Sequence, residues 1–185
     1  MEWVVLGLVV ALVLYGIMVY NRLVTLRQAT GQAWADIDVQ MKQRLDLIPN
    51  LVETVKGYAA HERQTLDAVV SARNAAAHAS GPQAAAAADT VLTGALRQLF
   101  ALAEAYPDLK ANQNFLELQR ELSDIENKIA AARRFFNSAV SEFNAAIEQF
   151  PAVLFARTLG FSQRDFFEVP PEQRAAVEAA PQVKF

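Results

Sequence analysis

The sequence predicts an all-α chain. The expected form is a long antiparallel bundle of three long helices and a short C-terminal one, four-helix-bundle-like, behind an N-terminal transmembrane helix. Three observations predict it. From residue 115 to 150, apolar side chains recur at alternating spacings of three and four: Phe115, Leu118, Leu122, Ile125, Ile129, Ala132, Phe136, Ala139, Phe143, Ala146 and Phe150. Residues 4–20 are apolar apart from glycines and tyrosine hydroxyls, and Trp3 and Leu23 extend them to the ~20 residues that cross a bilayer. Beyond that N-terminus, no Val- and Ile-rich run of period two is bounded by turns.

The N-terminal stretch reads as a retained anchor, residues 1–23. Trp3 and Tyr20 suit its two membrane interfaces. A cleaved signal peptide would need a basic start and a small-x-small cleavage site, and neither is present. Arg22 and Arg27 follow the span, while no Lys or Arg precedes it. The positive-inside rule then puts the N-terminus outside and the bundle in the cytoplasm.

The bundle domain spans residues 24–168. Its first helix is expected over 21–79, continuous with the anchor. The seam reads Trp34, Ile37, Met41, Arg44, Ile48, Leu51, Val55, Tyr58, Glu62, Thr65, Val69 and Ala72, widened by Leu45, Val52, Ala59 and Leu66. Pro49 removes a backbone bond, yet the phase continues through it. A kinked continuous helix is the reading, with a break at Pro49 as the alternative.

Two blocks in this region and beyond carry a resemblance. Residues 33–44 and 46–62 (Ala33-Trp34-Ala35-Asp36-Ile37 and Leu47-Ile48-Pro49-Asn50-Leu51 among them) form one. Residues 106–115, from Tyr106-Pro107-Asp108, with their continuation to Arg133-Arg134-Phe135-Phe136-Asn137, form the other. Together they resemble the bacterial LemA family across nearly the whole chain. The resemblance implies a helical bundle tethered by one membrane helix at the bacterial inner membrane, and it implies no reaction or ligand. Some relatives are associated with internal membranes, others with membrane proteases.

Ser80-Gly81-Pro82 ends the first helix and starts the second, expected over 83–106, where an alanine run precedes Leu92, Ala95, Leu99, Leu102 and Tyr106. Tyr106-Pro107 closes it, and Asp108 is placed to cap the third helix from residue 109. A turn that short makes helices two and three antiparallel neighbours. Helix two is too short to cover helix one down to the membrane. Residues 34–48 therefore need a partner: a bend at Pro49, the tail, or a second copy. After Pro151 an apolar strap follows (Val153, Leu154, Leu159, Phe161, Phe166, Phe167), read as a core cap or as a docking face for a protein or the membrane surface. Its flanking bases are only Arg157 and Arg164. Residues 169–185 read as a mostly disordered tail.

Composition narrows function. Net charge is −3 over 185 residues, which offers nucleic acid no concentrated basic face. Without cysteine there is no thiol chemistry. His61 and His78 are 17 residues apart, not at metal-binding spacing, and no phosphate loop or nucleophile elbow occurs. No cofactor and no enzyme activity are expected. Arg44 and Glu62 fall on apolar seam positions and need partners, for which Glu126 and Arg133 are the candidates. The expected role is a membrane-anchored scaffold or interaction module. Its partners would be membrane lipid along the anchor, other membrane proteins (a protease among them) and a second copy of the chain. The alternative is a receptor or enzyme using the buried polar residues.

Overall fold

A computed structural model describes residues 1–169; the expected tail lies, beyond Val169, outside the described residues. The elements are α1 (Glu2–Lys56), α2 (Arg63–His78), α3 (Pro82–Ala103), the single turn α4 (Pro107–Lys110), α5 (Gln113–Glu148) and a 3₁₀ turn (Ala152–Leu154). Among the described residues there is no strand.

Helices α1, α2, α3 and α5 alternate in direction. Ile48, Leu51 and Val55 of α1 meet Leu66, Val69 and Ala72 of α2, Leu92, Leu96 and Leu99 of α3, and Phe115 and Leu122 of α5 in one core. Below this four-helix region α1 and α5 continue as an antiparallel pair. Ile37 packs with Phe136 and Val140, and Leu23 packs with Phe143, Ala146 and Ile147. The alanines at the start of α3 let it close on that pair, where Ala85 and Ala86 are buried beside Ala33 and Phe136.

Helix α1 runs through Pro49 without a break, as the unbroken seam phase predicts. At ~1.5 Å per residue its 55 residues make a rod of about 82 Å. The expected single helix over 21–79 is corrected, because the chain turns back after Lys56. Gly57 is a poor helix former, and the turn closes through bonds from Tyr58 N–H and Ala59 N–H to the Val55 carbonyl. Reversal lets the apolar stripe of residues 66–76 cover the upper end of α1. A straight rod would have left that stripe in water.

Residues 34–48 are covered by the lower half of α5, by the start of α3 and by the strap over Trp34. The cap of the long α5 is also corrected. Tyr106, not Asp108, precedes α4, and the N-cap of α5 is Asn112, whose Oδ1 accepts from Phe115 N–H at 3.0 Å. Asn112 Nδ2 also donates to the Tyr58 hydroxyl at 2.9 Å, tying the two upper turns together.

Candidate functional site

Arg44 faces the bundle interior because it occupies a seam position of α1, and it is 3% exposed. Its Nη1 lies 2.6 Å from Asp89 Oδ1 and 3.0 Å from Glu126 Oε2, and its Nη2 donates to Thr93 Oγ1 at 2.8 Å. One guanidinium thus joins α1, α3 and α5. Burial pushes the Asp89 carboxyl above its ordinary range. Arg44 draws it back down, Glu126 pushes it up and Arg133 draws it down, and the balance stays above the ordinary value.

Of the four polar residues expected to form a network, Arg44 and Glu126 do meet. Glu62 does not join them, and Arg133 acts on the cluster only through its charge near Asp89. Glu62 sits in the α1–α2 turn, because the chain reverses before it, and accepts the Tyr106 hydroxyl at 3.1 Å. That bond holds the Tyr106 phenol above its ordinary value. Arg133 lies on the exposed face of α5. Asp89, the closest anion to Arg44, was not expected. Its signal was present: it lies three residues before Leu92 and four after Ala85, on the stripe that α3 buries. A cleft of about 320 Å³ opens beside the pair, lined by Arg44, Thr93, Arg97, Gln119, Ser123 and Glu126 among others.

The strap divides into two kinds of residue. Phe161 and Phe167 are buried and Phe166 half-buried, filling the lower core. Phe161 sits edge-on to Tyr20, packs on Phe143, and lies under the Arg27 guanidinium at 5.1 Å. Two asparagines of α5, Asn137 and Asn144, hold the strap backbone at Phe167 and Arg164. Val153, Leu154 and Leu159 instead face outward, as does Phe150. Of the interface residues named from the sequence, Trp3, Tyr20 and Arg22 are exposed and Arg27 is half-buried. Among the described residues, α1 is the one helix long and apolar enough to cross a membrane, and its apolar stretch near the N-terminus is unburied.

The LemA family model matches residues 33–185. The chain belongs to the LemA family. It is 25% identical over 189 residues to the magnetosome proteins MamQ 1 and MamQ 2 of Paramagnetospirillum magneticum, a match covering 88% of this chain and 70% of each relative. It is 26% identical over 148 residues to Protein LemA of Metamycoplasma hominis, covering 78% of this chain and 66% of that one. The LemA match takes in both strap asparagines and Arg44, Asp89 and Glu126. The family and the N-terminal apolar helix together fit a membrane-associated protein.

Proposed function

We propose that this LemA-family chain is a scaffold or interaction module, not an enzyme, anchored in the bacterial inner membrane with its bundle in the cytoplasm. One observation carries the reading: α1 runs without interruption from the bare apolar span into the bundle core. A helix continuous across the boundary has no hinge of its own, so the bundle is joined rigidly to its anchor and offers its flanks to neighbours. The similarity to magnetosome proteins supports the membrane location. Arg22 and Arg27, just after the span, support the orientation. Other membrane proteins, a membrane protease among them, and a second copy of the chain are the partners this reading expects. Chemical crosslinking in native membranes followed by mass spectrometry tests it. Recurrent links from bundle lysines such as Lys42 or Lys128 to other membrane proteins or to a second copy are expected. Links only within one chain would sink the scaffold reading.

The cleft beside Arg44 favours one second reading, a small-ligand receptor. Arg44 already has two carboxylates and a hydroxyl as partners, which leaves Arg97 as the exposed cation of the cleft. A metabolite that raised the melting temperature of the wild type but not of Arg97→Ala would support this reading. A library of anionic metabolites that shifted neither would remove it.

A further inference from the structure

We propose that the apolar knuckle made by Phe150, Val153, Leu154 and Leu159 is a second membrane contact, dipping into the headgroup layer of the same bilayer that α1 crosses. The proposal rests on the anchor reading above.

The knuckle is built, not loose. Ala152, Ala156 and Phe161 point inward and are each 3% exposed, while Phe150 and Leu154 are 79% and 70% exposed. Two alanines and one phenylalanine fill the inward face, which leaves four large apolar side chains facing outward, unlike a surface meant for water. Backbone bonds fix this arrangement: Val153 N–H to the Gln149 carbonyl, Ala156 N–H to Ala152, and Phe161 N–H to Ala156. From residue 150 to 161 the only charge is Arg157.

Height identifies the occupant. Residues 3–22 amount to roughly 30 Å of helix, about what the hydrocarbon layer requires. The membrane boundary therefore falls near Tyr20 and Arg22. The knuckle is at that level, because Phe161 packs edge-on against Tyr20 and Ala152 and Ala156 pack with Leu23 and Val19. Helix α5 runs antiparallel to α1, so it descends toward the bilayer. Ile147 already packs beside Leu23, and Phe150 follows it in the chain. The exposed apolar side chains thus continue the surface that the anchor presents to lipid. Arg22 and Arg157, both exposed, suit anionic headgroups at this depth. A contact on each side of the α1–α5 pair would fix the tilt and rotation of the bundle, where a single helix would let it swivel.

Because the chain has no cysteine, single ones can be introduced and labelled with an environment-sensitive fluorophore. The full-length protein would be reconstituted in phosphatidylcholine–phosphatidylglycerol vesicles with the label at Leu12→Cys in the anchor, Leu154→Cys and Val153→Cys in the knuckle, or Ala60→Cys at the far turn. All four positions are exposed, so labelling leaves the core intact. The knuckle labels are expected to emit brighter and bluer than the Ala60→Cys label. They should lose most of that emission to lipids brominated near the headgroup, and the Leu12→Cys label to lipids brominated deep in the chain. A quenched anchor label beside water-like knuckle labels would overturn the proposal and leave the anchor standing. Knuckle labels that are shielded yet unquenched by lipid would also overturn it, by showing that a protein or a second copy covers the tip. An unquenched Leu12→Cys label would remove the anchor reading and the proposal together.

Discussion

Asn144 grips the backbone of Arg164 on both sides: its Oδ1 accepts the Arg164 N–H at 2.8 Å, and its Nδ2 donates to the Arg164 carbonyl at 2.9 Å. Asn137, two turns earlier on α5, does the same to Phe167 at 2.8 and 3.4 Å. An irregular segment has no ladder to satisfy its backbone, and these two amides supply the missing partners. They are what turns the strap from a tail into part of the fold.

Replacing either asparagine with alanine is therefore expected to loosen the strap. Each variant loses two hydrogen bonds, worth about 1 kcal/mol apiece. Trp34, which stacks on Phe167 with ring centres 6.2 Å apart, reports the change. In a Trp3→Phe background its emission should move to the red and the melting temperature should fall. Unchanged emission in the Asn137→Ala, Asn144→Ala double variant would mean that the phenylalanines alone hold the strap.

Arg44 and Asp89 should behave as a coupled pair. Arg44→Met leaves Asp89 buried without its nearest cation, a loss of about 3–5 kcal/mol by analogy with other broken buried pairs. The sign of the pH dependence follows from Asp89. Its carboxyl already binds a proton more readily folded than unfolded, and losing Arg44 strengthens that preference. The variant is therefore closest to wild type at pH low enough to protonate Asp89, and falls furthest behind as pH rises through the raised value. Adding Asp89→Leu should recover much of the loss. Denaturant melts of the four proteins at acid and neutral pH measure the coupling; additive effects would contradict it.

Gly31 and Gly94 lie inside helices, and a Cβ at either meets nothing within 4 Å. Alanine at each should stabilise the protein by up to about 1 kcal/mol through lower unfolded-state entropy. Gly81 is the contrast. Its φ of +83° with ψ of 165° is backbone that essentially only glycine adopts, and it turns the chain from α2 into α3, so Gly81→Ala should destabilise by about 1–3 kcal/mol. Thermal denaturation that ranked all three substitutions alike would refute the distinction.

Orientation is open to direct measurement. A cysteine replacing the exposed Ala60 should resist a membrane-impermeant maleimide in intact cells and react once the membrane is opened. Labelling of intact cells would invert the proposed topology.

How much of this was written in the chain can be judged residue by residue. The alternation of three and four from Phe115 to Ala146 named the inward face correctly, with Leu118, Ala132 and Ala139 half-buried at its edge and the rest buried, because the 3.6-residue repeat decides which side chains share a face. Phe150 keeps the rhythm but is exposed, since α5 ends at Glu148 and the face no longer exists there. Arg44 stood out as a charge on an apolar stripe. Its partner Asp89 directly follows an alanine run, whose stripe becomes visible only when traced back from Leu92. The strap asparagines gave no periodic signal at all.

Helical content, the apolar N-terminal span, the buried face of each helix and the need of Arg44 for an anion all follow from local spacing and residue chemistry. Pairing does not. A seam demands cover without naming it, and the same stripe over residues 34–76 serves one rod or two facing helices equally well. Burial of the whole apolar surface at once selected the reversal at Gly57, the descent of α5 beside α1 and the seating of Phe161 on Tyr20. Each of those contacts joins residues far apart in the chain, and its free energy exists only when all the partners are in place.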